Sequence, residues 1–580
     1  MKRVAALLVA ACGSTPKPTP PTNEPPRLVV LLVIDQLPQW SFTAKRAAFT
    51  GGFDRLLREG EWHTGEHPSP ATMTAVGHAL LGSGEPPSAS GIISNEWWDR
   101  ESEKFVGAVE DPAGTPSAHR LRVPGLGDAM AAGKTGGKAV AVSLKDRAAI
   151  LPLGHAGTAI WYDNKQVAFV GNAPLPWLAA YNAAHPIAPQ LRYVWKPLDR
   201  TAALAGVPDA QPGEVGEEQF GPTFPHDLGA NPNPASAVIA TPLGNDLVLD
   251  VATAALDGEQ LGTDQIPDLF VVSLSANDYI GHGWGHESQE AWDELLRLDA
   301  RLATFLDALD AKVGKGRWAM IATSDHGAAP MPEEGHRIQY RSLKEAANNA
   351  AAAELGPGEW IAATKFASGV YLSKAALAQP DRERNIAIKK IVYALRSFPG
   401  IERVERTDAF AGNCAERTGD AFLLCQMLDP ERSGEVFFLP KRGWILMSES
   451  YATAHGSWQD YDREVPVILL PPGRASHAPL AKPDDAVIRM IRISTVLARW
   501  LGITPPVSLT PELNSVDVDI SASPEASLSF RLSSEIRSSR CRAHPVDCIR
   551  GSRLEDEPPQ SPELAWSKDR LRRAQGLEKQ

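Results

Sequence analysis

Leu28-Val29-Val30-Leu31-Leu32-Val33-Ile34-Asp35 is the stretch that decides the fold. It is an unbroken aliphatic run, rich in β-branched residues and closed by an aspartate. A run of this length without polar alternation suits a strand covered on both faces, as in a parallel sheet wrapped by helices. Three further runs have the same form. Ala139 to Leu144 ends at Lys145, Leu269 to Leu274 leads into Asp278 and His282, and Trp318 to Ala322 stops just short of Asp325 and His326. The pattern predicts an α/β fold with a mostly parallel central sheet flanked by helices. Sites in such sheets collect outside the carboxyl ends of the strands, where every one of these polar residues lies.

Three aspartates and three histidines stand out: Asp35, Asp278, His282, Asp325, His326 and His455. Carboxylate and imidazole are the donors that suit zinc, and six of them divide into two three-ligand sites with open positions for a phosphoryl group. Each piece also has a plainer reading. Asp325-His326 can be a turn with a helix cap, and His455 in Ala454-His455-Gly456-Ser457 a surface loop histidine. Asp278 and His282 share a side only if their segment is helical.

Pro68-Ser69-Pro70-Ala71-Thr72-Met73-Thr74-Ala75-Val76-Gly77-His78 lies between the first two runs. The prolines favour an extended approach, and a helix can start after them. Thr74 then sits at a helix N-terminus, where free N–H groups favour an anion; the alternative is an ordinary threonine cap. In Gly91-Ile92-Ile93-Ser94-Asn95, the Asn95 amide is either a donor to a phosphate oxygen or a turn residue.

Together, Asp35, Thr74-Ala75-x-Gly77-His78, Gly91-Ile92-x-x-Asn95, Lys145-Asp146-Arg147, Asp278-x-x-x-His282, Asp325-His326-Gly327 and His455-Gly456-Ser457 resemble the alkaline phosphatase superfamily. More narrowly, they resemble its threonine-nucleophile branch of phosphate-irrepressible periplasmic phosphomonoesterases and nucleotide pyrophosphatases/phosphodiesterases. The resemblance covers about Arg27 to Pro506. It implies that Asp278, His282 and His455 hold one zinc ion and Asp35, Asp325 and His326 the other. Thr74 would bridge toward the second zinc and act as nucleophile. The implied reaction forms a phosphothreonine, which water activated at the other zinc displaces. Two in-line displacements retain configuration at phosphorus.

Lys145 and Arg147 bear on the subclass. In an extended segment, alternate positions point to one side, so the pair could grip a dianionic phosphoryl group. A solvated loop with local ion pairs is the plainer alternative. In the resemblance the Lys-x-Arg pair belongs to the monoesterase branch, and small phosphate monoesters are the expected substrates. The chain carries 58 Lys plus Arg against 70 Asp plus Glu, a net charge of −12, which argues against nucleic acid as a bulk partner. The site itself becomes positive once two divalent cations, Lys145 and Arg147 are set against three aspartates.

Met1-Lys2-Arg3, a short apolar stretch and Val9-Ala10-Ala11-Cys12 read as a bacterial lipoprotein signal over residues 1–11, with lipidation of Cys12 as the membrane contact. Residues 12–26 form a Pro-rich tether. Gly13 gives no inner-membrane retention cue, so the expected location is the periplasm, anchored to the outer membrane. A monomer is expected. Length alone allows about four domains, yet the strand-end ligands imply one catalytic domain over residues 27–520. Insertions are expected at about 155–260, as a cap over the site, and 335–450. The latter includes helical stretches near Ser342 to Glu354 and Ile386 to Arg396. Ile493 to Ile503 resembles the family's closing helix, and residues 521–580 read as a poorly ordered tail. Cys414 with Cys425, and Cys541 with Cys548, are plausible disulfides in an oxidising compartment, the alternative being free thiols.

His286 departs from the pattern, because a proline is expected there in relatives. It can compete as a ligand, or serve an outer-shell or structural role. His78 and His155 read as structural or supporting residues. The main rival enzyme is a phosphodiesterase or nucleotide pyrophosphatase with the same metals and Thr74. None of the five cysteines has the Cys-x-Pro/Ala-Ser-Arg context of a sulfatase. A non-catalytic, lipid-anchored binding protein on the same fold is the remaining alternative. Loss of a ligand would favour it, and all six are present.

Overall fold

The structure is a computed structural model describing residues 24–198, 206–447 and 451–507. The signal segment, most of the tether, Cys12, the Cys541–Cys548 pair and the tail lie outside the described residues.

The aliphatic run becomes β1 (Leu28–Ile34), buried along its whole length. It lies near the middle of a nine-stranded sheet completed by β2 (Glu61–Glu66), β3 (Ala139–Ser143), β4 (Thr158–Asp163), β5 (Ala168–Gly171), β6 (Asp268–Leu274), β7 (Trp318–Thr323), β8 (Glu464–Leu470) and β9 (Asp484–Arg489). The order is β9-β2-β8-β7-β1-β6-β3-β4-β5. β1 pairs parallel with β6 and β7, in a register that brings Ile34 opposite Leu274 and Val33 opposite Thr323. β3 and β4 continue the parallel array. β5 and β8 run against it. The four runs read from sequence are thus four adjacent strands with their carboxyl ends on one edge.

Alternate residues of β1, Leu28, Val30, Leu32 and Ile34, join a core with the helices Pro242–Gly258 and Gln289–Leu309. Helices α1 (Thr74–Ser83), α2 (Asp146–Leu153) and Ile493–Leu501 also pack on the sheet and on one another. Burying each aliphatic side chain of β1 contributes about 1.5–3 kcal/mol relative to leaving it exposed. The strand is therefore held by both faces, which is why it shows no alternation.

The expected cap over residues 155–260 needs correction. β4 and β5 form one edge of the central sheet, and Pro242–Gly258 packs on β6 and β3. Edge strands and a sheet-covering helix are integral to the fold, and high Pro, Gly and Trp content does not separate them from an insertion. Within that stretch, Val215 and Gly216 do lie against the helix that bears His282, donating their N–H groups to the Gly283 carbonyl. In the second stretch, helices Tyr340–Leu355 and Asp381–Arg396 pack together beside a four-stranded sheet of Ile361–Lys365, Gly369–Leu372, Val436–Pro440 and Ile401–Arg406. A Cys414–Cys425 disulfide is present there.

Candidate metal centre and active site

Asp35 is the first residue after β1, its N–H donating to the Leu274 carbonyl (3.0 Å). Beyond β6 the chain forms α3 (Ala276–Trp284), so Asp278 and His282 do share one helical face, His282 Nε2 lying 3.4 Å from Asp278 Oδ1. Asp325 and His326 follow β7. His455 comes in beside Thr72, two residues before Thr74, with its Nδ1 donating to the Thr72 carbonyl (2.6 Å).

Two clusters result. The ligand atoms of Asp278, His282 and His455 lie within 4.8 Å of one another, as do those of Asp35, Asp278 and His326. The first is the triad implied from sequence. The second differs: Asp278 faces both clusters, while Asp325 Oδ2 lies 3.5 Å from His326 Nε2 and 3.2 Å from His78 Nδ1. Asp278 Oδ1 faces Gln36, His282 and His455 while its Oδ2 takes Lys145, a consequence of packing that residue types do not reveal.

The donor set fits two divalent cations. Tetrahedral bonds of about 2.0–2.1 Å place ligand atoms roughly 3.4 Å apart. The spacings here are 3.4 Å for His282 to Asp278, 3.7 Å for His455 to Asp278, 3.6 Å for His326 to Asp35 and 3.5 Å for His326 to Asp325. Two of these atoms, Asp35 Oδ1 and His326 Nε2, are buried with no hydrogen-bond partner, although such groups cost about 1–3 kcal/mol each when left unsatisfied. The histidines are oriented alike. His282, His326 and His455 each donate Nδ1–H to a carbonyl, of Thr453, Gly327 and Thr72, which leaves Nε2 with its lone pair facing the cluster.

Burial acts on every charge in the site. With the charge of Asp325 it pushes the Asp35 carboxyl well above its ordinary value, although Lys145 pulls the other way. Asp278 is equally buried, yet Lys145, His282 and His455 hold its carboxyl well below that value. The two carboxylates share one ammonium, and they differ because Asp278 faces histidines whereas Asp35 faces other carboxylates. Burial also depresses His326 and His455, which favours the neutral form a metal requires.

Thr74 opens α1 and is buried, and the preceding residue, Met73, offers no side-chain cap. Asn95 Oδ1 accepts from the Ala75 N–H (2.8 Å), which leaves the Asn95 NH₂ as a donor beside the start of α1. Lys145 Nζ donates to Asp35 Oδ2 (2.7 Å) and Asp278 Oδ2 (2.5 Å) and lies over the Tyr279 ring. The extended Lys-x-Arg segment expected from sequence is not observed. Lys145 is extended, but α2 starts at Asp146, so Arg147 is already helical and alternation is not what places it. Arg147 nevertheless lines a cavity of about 600 Å³ together with Met73 and Asn95. His78 is structural: its Nδ1 donates to the Thr74 carbonyl (2.9 Å) and lies 3.2 Å from Asp325 Oδ2, and its Nε2 bonds Ser273 Oγ (2.9 Å). His155 pairs with Asp128 at the surface. Sequence reading missed Gln36 and Tyr279; the adjacency of each to a ligand aspartate was the only signal.

Gly77 sets the distance between α1 and this centre. A Cβ on Gly77 would clash with the Asp325 carbonyl. Gly77→Ala is expected to cost about 1–3 kcal/mol by overpacking and to lower turnover with it, read by thermal melting and assay of the same preparation. Unchanged stability would show that the helix can shift without cost.

Two carboxylate–histidine clusters at the carboxyl edge of a parallel sheet, beside a helix N-terminus and two basic side chains, are consistent with a bimetallic phosphatase site. Residues 29–462 match the model of the type I phosphodiesterase/nucleotide pyrophosphatase family. Alkaline phosphatase PafA of Elizabethkingia meningoseptica is 31% identical over 479 residues, which span 77% of this chain and 87% of that protein. The crystal structure of wild-type PafA superposes with a TM-score of 0.74 at 28% identity, covering 83% of this chain and 96% of that one. A PafA variant with a threonine, an asparagine, a lysine and an arginine replaced superposes equally well, at 27% identity and the same coverage. The chain belongs to the type I phosphodiesterase/nucleotide pyrophosphatase family within the alkaline phosphatase superfamily, and it is an enzyme of the alkaline phosphatase class.

Proposed function

We propose that the protein is a phosphomonoesterase that works through a covalent phosphothreonine at Thr74, with two zinc ions held by the clusters above. The observation that supports the monoester reading is that Arg147 lines one cavity with Met73 and Asn95 beside Thr74, while Lys145 reaches Asp35 and Asp278 of the metal clusters. Three non-bridging oxygens of a monoester dianion need three donors, whereas a diester carries a substituent in one of those places. The residue types replaced in the PafA variant occur in this chain as Thr74, Asn95, Lys145 and Arg147, in the same order, with the same spacing between lysine and arginine.

When bound, two zinc ions would lower the pKa of the threonine hydroxyl and of the displacing water and would neutralise charge on the transferring phosphoryl group. The chain's own residues do the rest. Thr74 Oγ attacks phosphorus as the ester oxygen departs, and water then breaks the phosphothreonine bond, releasing phosphate and restoring the hydroxyl. Asn95 holds the first turn of α1 through Ala75 and presents its NH₂ to an equatorial oxygen. Lys145 stays charged because its carboxylate neighbours outweigh the effect of burial. Its ammonium offers the substrate a point charge, and Arg147 supplies the planar fork.

The test is zinc-dependent hydrolysis of p-nitrophenyl phosphate against bis-p-nitrophenyl phosphate, as kcat/KM, for wild type and Arg147→Ala. A large monoester preference that collapses in the variant is expected, by about 10²-fold or more for loss of a charge clamp on the transition state. A diester preference untouched by the substitution would move the enzyme to the phosphodiesterase branch.

A further inference from the structure

Gln36 follows Asp35 and has a left-handed backbone, φ +57°, which a non-glycine residue adopts only where the surroundings impose it. It is completely buried. Its backbone N–H donates to Asp325 Oδ1 (3.2 Å). Its side-chain Nε2 donates to Asp278 Oδ1 (2.6 Å) and lies 3.1 Å from His282 Nε2, an acceptor whose lone pair a bound cation would take over from the amide, leaving the bond to Asp278 in place. One residue thus touches ligands of both clusters, with the main chain reaching one and the side chain the other. The Asn277 amide donates to the carbonyls of Asp35 and Gln36 and pins this turn from the other side.

The sense of the Gln36 amide is set by His286. His286 Nε2 donates to Gln36 Oε1 (2.9 Å), so the NH₂ end must face Asp278. Room for the amide comes from Gly281, one residue before the ligand His282, where a Cβ would collide with Gln36 Oε1. His286, Gln36 and the absent side chain at position 281 form one device.

We propose that Gln36 is a positioning residue that fixes the ligand carboxylates of both metal clusters in register, with His286 holding its amide in the productive sense. The inference rests on the bimetallic reading above. Asp278 projects between two histidine groups, and a single contact from Lys145 to its Oδ2 would let the carboxylate pivot about that atom. A donor on Oδ1 holds the plane of its carboxylate before any cation arrives, and the Gln36 N–H on Asp325 Oδ1 leaves Asp325 Oδ2 facing His326. Partners of this kind are typically worth 10–100-fold in metal affinity.

The experiment measures zinc affinity of metal-stripped full-length protein by competition with a chromophoric chelator. Two variants are used: Gln36→Asn, whose residue type tolerates the left-handed backbone but has a shorter reach, and Gln36→Met, which keeps the length and removes the donors. Each is expected to weaken at least one zinc site by about 10–100-fold, to regain most of its p-nitrophenyl phosphate turnover at high zinc, and to lose thermal stability chiefly in the zinc-loaded state. Unchanged zinc affinity in both variants beside a zinc-loaded wild type would overturn the assignment of Gln36 alone. An equal loss of stability with and without zinc would place the effect in the fold and overturn it as well. A wild-type protein that takes up no zinc would remove the bimetallic reading itself, and this inference with it.

Discussion

Replacing Thr74 with alanine is expected to lower kcat for p-nitrophenyl phosphate by at least about 10³-fold, the order of loss seen when a nucleophile acting within a unit is removed. The change deletes one hydroxyl and one methyl from a buried position, and alanine is a good helix former. The capping contact from Asn95 goes to the backbone N–H of Ala75, and His455 is held by the Thr72 carbonyl, so neither depends on the Thr74 side chain. Zinc content and melting temperature should therefore stay at wild-type values while turnover disappears. Acid quenching during steady-state turnover should trap phosphate on the wild-type protein and none on the variant, and Thr74→Ser should restore part of both signals. A fully active Thr74→Ala protein would end the phosphothreonine mechanism whatever the metal content.

Stripping the metals should abolish activity altogether and also destabilise the fold. Without cations, Asp35 Oδ1 and His326 Nε2 remain buried and unpartnered, and three aspartates face one another with Lys145 as their nearest ammonium. A ligand present at 1,000 times its Kd stabilises the native state by about 4 kcal/mol, so chelation should lower the melting temperature by several degrees in a domain of this size. Adding back zinc should recover both properties. Turnover that survives exhaustive chelation, with no change in melting, would mean that these clusters hold no functional metal.

Much of this was legible in the chain because it depends on local properties. Burial on both faces of β1 requires an aliphatic run without alternation, and a residue that ends such a run must emerge at the sheet edge. Asp35, Asp278, Asp325 and His326 were placed at that edge for this reason, before their distances were known. The spacing of Asp278 and His282 fixed their common side once the segment was helical. Lys145 touches Asp35 and Asp278 and Arg147 lines the adjoining cavity, but the extended Lys-x-Arg geometry expected from alternation does not occur, because a helix begins at Asp146. The edge strands β4 and β5 were assigned to a cap, since short strands interrupted by turns carry little periodicity.

The sequence by itself determined the doubly covered parallel sheet, the helix that starts at Thr74 and the set of residue types able to bind two cations. Only the tertiary structure decided that Asp278 faces both clusters, that Asp325 is shared with His78, and that Gln36 and His286 support the ligands from behind. The physical reason is range. Strand burial and helix starts are set by neighbours a few residues away, whereas His455 meets Thr72 across 383 residues and Gln36 meets His286 across 250. Such contacts exist only after the sheet has closed and its helices have packed.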